Sequence, residues 1–404
     1  MTTPKPSSPL PDGILSGIKV LDFGRYIAGP YCAALLADHG AEVIRIDKRG
    51  GSEDRFTAPV TDDGVGALYL QVNRNKRSLT LNPRHPEAGE LMSRLIKQAD
   101  VVVANLPART LKAMKLDYDS LSAINPRIIL VTASAYGDKG PWAERVGFDG
   151  VGQAMSGAIH MTGEPEQPYR ASVNWVDYGT ALHCAYSTVL ALMARDKTGR
   201  GQVVTGTLLG TALTFTNSML IEQAALNINR QPTGNRGQTA APVDIYRTTD
   251  GWVLCQVVGQ PLYERWAKLM GEDHWLTEAR FATDEARGIH ALEISERMQH
   301  WCDDKSTEQV LSILGEQHIP CGPVLQPQQT LDHPAAHALD LFQSMPTAGL
   351  DKAMPIARSP ARLSETDVIA MKPAPALGAD TDAILTELDF SLEQISEMRA
   401  AGIV

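Results

Sequence analysis

The hydrophobic pattern of the first half of the chain alternates between short β-type runs and helical spacings. Apolar runs at 17–21 and 41–46 flank a helical spacing over Tyr31 to His39, with Pro30 suited to its first turn and Gly40 able to end it. A strand–helix–strand unit of this kind implies parallel strands joined by a right-handed crossover. The alternation continues with predicted strands at 76–81, 101–104, 128–133 and 203–208 and predicted helices at 86–97, 118–124, 177–195 and 213–226. The pattern therefore predicts an open α/β sheet.

The pattern changes after Asn227. Two predicted strands, 243–247 and 252–258, surround Thr249-Asp250-Gly251, which suits a hairpin turn. Helical spacings follow at 262–270 and 291–302, so we expect a small α+β domain over 228–325. A proline-rich tail returns to predicted helices at 381–387 and 392–400.

Composition narrows the class of protein. The 404 residues are too many for one ordinary core, and a hydrophobic content of 43% is typical of globular proteins. A net charge of -10 argues against a general nucleic-acid or membrane-surface binder, and no apolar run reaches the length of a membrane span. The five cysteines are far apart and form no CxxC pair, which predicts reduced thiols in a cytoplasmic protein and no metal site. The polar, proline-rich first dozen residues are predicted to be disordered and lack the apolar core of a signal peptide.

The loop after the first strand does not match the common dinucleotide-binding motif. It contains only Gly24 and Gly29, too few for the glycine-rich loop that binds dinucleotides. Basic residues do follow several predicted strand ends, where open sheets bind ligands, and are either surface residues or phosphate ligands. They are Lys48, Arg49, Arg84, Arg109 and Arg145.

Asp177 lies where a loop enters an apolar helix, and its spacing allows two interpretations. Aspartate is a favoured N-cap, so its role could be structural. Alternatively, the positive end of the helix dipole keeps the carboxylate ionised, as a nucleophile for a thioester carbonyl. His183, about two turns further along, is more typical of a core residue than of a catalytic base.

A set of short segments lies in a defined order along nearly the whole chain, and together they resemble the class III CoA-transferases of the CaiB/BaiF type. This family contains formyl-CoA transferase, carnitine CoA-transferase and α-methylacyl-CoA racemase. Any one segment is a weak signal, whereas the ordered set is specific. The segments are 17–22, 28–30, 40–46, 75–78, 99–101, 125–127, 153–157, 198–202, 319–323 and 373–378.

The resemblance implies a two-domain architecture and a homodimer. A large Rossmann-like open-sheet domain is expected from both chain ends, residues 1–210 and 335–404, with the small α+β domain at 228–325. Residues 211–227 and 326–334 are the expected linkers. In the homodimer, two ring-shaped subunits interlock.

The resemblance also implies a CoA-transferase with Asp177 as nucleophile, through aspartyl anhydride and aspartyl-CoA thioester intermediates. CoA and acyl-CoA are then substrates, with a small carboxylic acid as acceptor and no permanently bound cofactor. Water must be excluded, and Val258, Gly259 and Gln260 are the candidate lid, although the glycine run of some formyl-CoA transferases is missing.

The CoA-binding residues implied by the resemblance follow the predicted strands. They are Ile27, Ala28, Lys48, Leu81, Arg84, Asn105, Leu106, Arg145 and Phe148. A further basic residue of the family is replaced by Ala113, for which Arg109 or Lys112 would compensate. Formyl-CoA transferases carry glutamine at the position of Ile27, which argues against oxalate as the acid.

Two alternative functions remain open. A 2-methylacyl-CoA racemase needs a histidine where this chain has Phe148, and phenylalanine cannot move a proton. A non-catalytic acyl-CoA-binding protein would leave Asp177 as a helix cap only. If the chain is a transferase, Arg170 and Arg236 are candidates to bind the second carboxylate of a dicarboxylate such as succinate.

Overall fold

The computed structural model describes residues 12–404, so most of the proline-rich start lies outside the described residues. The strands are β1 Lys19–Asp22, β2 Glu42–Asp47, β3 Lys76–Thr80, β4 Val101–Val103, β5 Ile129–Ser134, β6 Gly163–Glu164, β7 Gln167–Pro168, β8 Val203–Thr207, β9 Val243–Arg247, β10 Trp252–Gln256, β11 Cys321–Pro323, β12 Phe342–Met345 and β13 Met354–Ala357. The helices are α1 Ala28–Asp38, α2 Ala67–Val72, α3 Gly89–Gln98, α4 Ala108–Ala113, α5 Tyr118–Ile124, α6 Asp149–Met155, α7 Ala158–Met161, α8 Trp175–Thr198, α9 Leu208–Leu226, α10 Gln260–Met270, α11 Asp284–Ile289, α12 Ala291–Cys302, α13 Thr307–Glu316, α14 Pro327–Asp332, α15 Pro334–Ala338, α16 Thr381–Glu387 and α17 Leu392–Ala401.

The chain divides into two compact units. The first contains the described residues up to Ser156 together with Ser172–Leu220 and His337–Val404. The second contains Gly157–Ala171 and Ile221–Ala336. Within residues 12–404, no helix has the length and apolar character needed to cross a bilayer.

A six-stranded parallel sheet organises the first unit, in the order β3-β2-β1-β4-β5-β8. The predicted mixed α/β fold with a parallel sheet is confirmed. The strand order reverses direction between β1 and β4, because β2 lies on one side of β1 and β4 on the other. Loops that follow the two strands diverge at this switch point, which is where open α/β sheets bind ligands.

Alternating side chains of the strands build a separate core on each face of this sheet. On one face, Leu21 and Leu79 pack with α3, α5 and the late helices α16 and α17. On the other face, Val20 and Val131 pack with α1 and α8. Strands that are apolar on both faces are typical of parallel sheets covered by helices.

The second unit has its own core around an antiparallel sheet, β11-β10-β9. The predicted hairpin joins β9 and β10, and α12 has its predicted bounds. Trp266, Tyr263 and Phe281 are fully buried among the helices of this unit.

Several predicted elements begin or end at other residues. The helix predicted at 86–97 starts as a short 3-10 helix before α3, and α9 begins at Leu208 instead of 213. The first helix begins three residues earlier than predicted, so that Pro30 is its third residue. The pattern missed the short helices α2, α4, α6, α7, α11, α13, α14 and α15, which have ten residues or fewer.

Candidate active site

Asp177 lies in the first turn of α8, with 8% of its surface exposed. It is the third residue of the helix, because α8 begins at Trp175. Among the described residues, we find no hydrogen bond to its carboxyl oxygens. A buried carboxyl group without a partner is costly to ionise, so this position is unusual for a structural aspartate.

The cap of α8 is provided by Asp149, from α6. Its Oδ2 atom accepts the backbone N–H of Val176 at 2.8 Å and that of Asp177 at 3.1 Å. The interpretation of Asp177 as the N-cap is therefore wrong, since another residue satisfies the free N–H groups of this turn. The carboxylate of Asp149 also accepts a hydrogen bond from Gln153, one turn along α6.

Burial is the main cause that raises the pKa of Asp177 to about 7, and the nearby charge of Asp149 adds to it. The sequence predicts a carboxylate kept ionised by the helix dipole. That expectation is wrong, because desolvation and a like charge both favour the protonated form. Near neutral pH, both protonation states of Asp177 are populated.

Aromatic residues surround the start of α8. The ring of Tyr178 lies against that of Tyr31 on α1, with centroids 5.0 Å apart, and its hydroxyl group donates to Gln71 at 2.8 Å. On the other side, Trp175 contacts Phe215 of α9. The first turn of α8 is thus held between two neighbouring helices.

The loops after β1 and β4 meet at the switch point of the sheet through Asn105. Its side-chain oxygen accepts the backbone N–H of Arg25 at 2.6 Å, and its amide nitrogen donates to the carbonyl group of Arg25 at 2.8 Å. Tyr26, in the same loop, packs its ring edge-on against Phe148 at 5.3 Å. Because Phe148 directly precedes Asp149, these contacts connect the switch point with the start of α8.

A buried network of charges lies beneath these loops. Arg45, fully buried, donates to Asp54 at 2.7 Å and to the carbonyl group of Gly24 at 2.6 Å. It also pairs with Asp22 and Asp47, the last residues of β1 and β2. Buried charges of this kind need partners, and here they anchor the ends of the two strands.

Comparison with known proteins identifies the family. Residues 15–381 match the family model described as CoA-transferase family III. The chain belongs to CoA-transferase family III.

Relatives and a solved structure agree with this membership. A succinyl-CoA–D-citramalate CoA-transferase from Chloroflexus aurantiacus is 32% identical, over 96% of both chains. An acyl-CoA transferase from Fusarium pseudograminearum is 31% identical, over 97% of this chain and 88% of that protein. A crystal structure of a CaiB/BaiF family protein from Brucella suis is 29% identical, has a TM-score of 0.82, and covers 93% of this chain and 100% of that one. The chain is therefore an enzyme of the class that the resemblance indicated.

The structure places the predicted CoA-binding residues of this CoA-transferase after the carboxyl ends of successive strands. Ile27, Ala28 and Leu81 are buried, with at most 4% of their surface exposed. Asn105 and Leu106 are half-buried after β4. The remaining predicted residues are exposed, namely Lys48, Arg84, Arg109, Arg145 and Phe148.

Two exposed cations of the CoA-transferase already have neighbours. Lys48 forms an ion pair with Glu53, also exposed, and Arg145 lies over the ring of Trp142 at 4.2 Å. His183 was expected in the core but is exposed on α8, with its ring 6.0 Å from that of Phe215. It faces away from the sheet because the buried side of α8 is formed by smaller residues such as Ala181 and Cys184.

The remaining predicted residues lie in the second unit of the CoA-transferase. Val258 is exposed, while the backbone N–H of Gly259 donates to both carboxyl oxygens of Asp284, at 3.1 and 2.9 Å. Gln260 begins α10 and accepts a hydrogen bond from Arg287. Arg170 is exposed and Arg236 is half-buried.

Sequence reasoning missed Asp149 as a site residue of the CoA-transferase. It directly follows Phe148, but its contacts with Val176 and Asp177 join positions 27 and 28 residues away. No local pattern reports a contact of this range.

Proposed function

We propose that this enzyme transfers CoA from an acyl-CoA donor to a carboxylic acid, with Asp177 as the nucleophile. The buried carboxyl group of Asp177, without a hydrogen-bond partner in the described chain, is the observation that carries the proposal. A carboxylate that water does not solvate is more reactive toward a thioester carbonyl than a surface carboxylate. Its position near the switch point of the sheet fits a ligand-binding site.

The chemistry proceeds through two covalent forms of Asp177. One oxygen of the ionised carboxyl group attacks the thioester carbonyl carbon, and the C–S bond breaks. CoA departs as the thiolate, and the donor acyl group is now joined to Asp177 in a mixed anhydride. The thiolate then attacks the aspartyl carbonyl and expels the donor acid, which gives an aspartyl-CoA thioester. The acceptor carboxylate attacks this thioester and releases thiolate, which finally attacks the acceptor carbonyl of the new anhydride and regenerates Asp177. No step consumes a net proton or an oxidant.

CoA is proposed to bind along the carboxyl edge of the parallel sheet. Lys48 and Arg84 follow β2 and β3, and phosphate groups bind cations of this kind. Asn105 and Leu106 follow β4 and are proposed to border the pantetheine arm, with Arg145 and Phe148 near the thioester. The family has a basic residue at the position of Ala113, and Arg109 is proposed to take over its role.

A dicarboxylate such as succinate is the proposed acid. The relative from Chloroflexus aurantiacus carries succinyl-CoA and citramalate in its name, and both acids have two carboxylates. Arg170 and Arg236 are the proposed partners of the second carboxylate. The lid is proposed at Val258, Gly259 and Gln260, where it would exclude water from the anhydride.

A homodimer is proposed from the exposed face of α8. The helix buries one side against the sheet, but its opposite side is apolar and exposed over three turns. This exposed α8 stripe consists of Leu182, Tyr186, Leu190 and Met193. A contiguous apolar surface of this kind marks an interaction site, and a second copy of the chain is the proposed occupant.

Trapping the covalent intermediate tests the proposed function. Incubation with succinyl-CoA and hydroxylamine should convert Asp177 to a hydroxamate, which peptide mass spectrometry detects. Asp177→Asn should lose the adduct and lower the transfer rate by at least about a thousandfold, because it removes the nucleophile. Asp117→Asn, at the cap of α5, is the matched control and should keep both. An unmodified Asp177 peptide in an active preparation would overturn the proposal.

A further inference from the structure

Asp149 touches the backbone of Asp177, but its side chain has no place in the reaction described above. It comes from a different helix and accepts the N–H groups of two successive residues in the first turn of α8. It is 3% exposed, so its charge is screened little by solvent. Asp149 therefore both orients this turn and brings a second carboxylate next to the proposed nucleophile.

We infer that Asp149 is a positioning residue that biases Asp177 toward its uncharged forms, both the protonated acid and the acylated aspartyl group. The inference rests on the proposed role of Asp177. When Asp177 becomes an anhydride or a thioester, its negative charge disappears and the repulsion by Asp149 ends. The repulsion present in the ionised enzyme is thus relieved on acylation, which favours the covalent intermediate.

Other titratable groups around the start of α8 do not provide this charge. Strands β5 and β8, and α9 up to Leu220, contain no acidic or basic side chain, and α6 contains only Asp149. Burial raises the pKa of Tyr178 to about 12 and that of Cys184 to about 11, so both are neutral near pH 7. On α8, His183 is exposed against Phe215, Tyr186 is exposed, and Arg195, Asp196 and Lys197 lie in the last turns of the helix, with Arg195 paired with Asp100. On α1 and α2, Tyr31 contacts Tyr178, Cys32 is buried, Asp38 is paired with Arg74, and Tyr69 is bonded to Arg55.

Asp149→Asn separates the charge of Asp149 from its hydrogen bonds. The amide oxygen of asparagine can still accept the N–H groups of Val176 and Asp177, while the negative charge is lost. We expect the ionisation midpoint of Asp177 to fall by roughly one pH unit, since a neighbouring charge shifts a carboxyl group by about this much. Burial remains in the variant, so the midpoint should stay above that of an exposed aspartate.

Infrared spectroscopy of protein labelled with ¹³C-aspartate measures this midpoint directly. The carboxyl band of Asp177 is obtained by subtracting the spectrum of Asp177→Asn at each pH, in the wild-type background and in the Asp149→Asn background. A midpoint unchanged by Asp149→Asn would overturn the inference whether or not Asp177 is the nucleophile. If no hydroxamate forms at Asp177 in the wild type, the proposed function is overturned. The two ionisation midpoints would still show whether Asp149 acts on the charge of Asp177.

A second measurement tests the effect on the intermediate. The hydroxamate yield at Asp177, at a pH where the carboxyl group is fully ionised, should fall in Asp149→Asn by up to about tenfold, which corresponds to one pH unit. Asp117→Asn removes the carboxylate that caps α5 and should change neither yield nor midpoint. If Asp149→Asn does not fold, Asp149→Ser keeps an N–H acceptor and replaces it. An equal yield in folded variants and wild type would contradict the inference.

Discussion

At the scale of single residues, the carboxyl group of Asp177 couples chemistry to folding. Its pKa of about 7 in the folded chain exceeds the ordinary aspartate value of 3.8, with burial as the first cause and Asp149 as the second. In the unfolded chain both causes disappear. The folded state therefore holds a proton on this group between about pH 4 and pH 7 that the unfolded state releases.

The stability of the protein should reflect this proton. The stabilisation from the bound proton is fully present below about pH 4 and is lost as pH rises through about 7, since ionising the buried group is unfavourable. Asp177→Asn removes the ionisable group and should gain stability relative to the wild type as pH rises. The relative gain between pH 4 and pH 8 is at most about 4 kcal/mol for a pKa change of this size. Urea unfolding of both proteins across this range measures the difference.

An opposite control is available in the same unit. Partial burial would raise the pKa of Asp117, but the hydrogen bonds that Ser120 donates lower this pKa overall. Asp117→Asn should therefore lose stability relative to the wild type as pH rises toward about 4, and the difference should stay constant above that pH, whereas that of Asp177→Asn keeps changing up to about pH 7. A pH-independent difference between Asp177→Asn and wild type would contradict the assigned ionisation of Asp177.

Arg45 provides a second test at the residue scale. Arg45→Met would leave the carboxylates of Asp22, Asp47 and Asp54 buried with fewer partners, and breaking a buried ion pair costs about 3–5 kcal/mol. Guanidinium unfolding should show this loss. Arg280→Met, which removes an exposed arginine paired with Glu278 and Glu293, should change stability little. Equal effects of the two substitutions would show that the buried network does not anchor the strand ends.

At the scale of elements, α8 performs several tasks along one helix. Its first turn holds Asp177, its middle packs Cys184 and Ala185 against the sheet, and its last turn leads into the 198–202 turn before β8. Two positions of that turn require glycine, each for a different structural reason. Gly199 adopts a left-handed conformation with φ 72° at the end of the helix, whereas a Cβ atom on Gly201 would lie 1.8 Å from the carbonyl oxygen of Ile128.

Alanine substitutions should show how much each of these two requirements contributes to stability. Gly199→Ala meets no atom within 4 Å and should cost only the left-handed strain, about 1–2 kcal/mol. Gly201→Ala forces the turn away from the chain before β5 and should be more destabilising than Gly199→Ala. Thermal unfolding of the two variants, measured side by side, gives the order. The reverse order would show that the turn shifts easily.

The sequence predicts the bounds of an element well where a run of buried apolar residues has polar residues directly before and after it. Strands β1 to β5 fall within two residues of their predicted ends because both faces of the sheet are apolar. Helix α13 was missed although Ser306 and Gln309 form a capping box, a readable signal. The cap of α8 by Asp149 was not readable, because it depends on how two separate helices pack.

At the scale of the whole molecule, the exposed α8 stripe bears on assembly. The family resemblance predicted two units and a homodimer, but no local pattern determines how the units or the subunits assemble, because those contacts join distant residues. The stripe is visible only after the fold shows which side of the helix faces the sheet. Leu182, Tyr186 and Met193 are each more than half exposed in the single chain.

Charging the stripe should separate the proposed dimer. Tyr186→Glu combined with Met193→Glu places two charges in a surface that the dimer would bury, so the double variant should be monomeric. Sedimentation velocity should give twice the chain mass of 43.8 kDa for the wild type and one chain mass for the variant. The exposed Leu392→Glu on α17 is the control and should remain dimeric. A monomeric wild type would contradict the proposal.

The raised pKa of Asp177 also has a practical consequence for chemical labelling. Diazo reagents esterify protonated carboxyl groups, and ordinary surface carboxylates are ionised at neutral pH. We therefore expect a small diazo compound to esterify Asp177 in preference to the other acidic side chains at pH 7. Bound acyl-CoA would protect the group, so the extent of labelling would count vacant active sites without any knowledge of the acceptor acid.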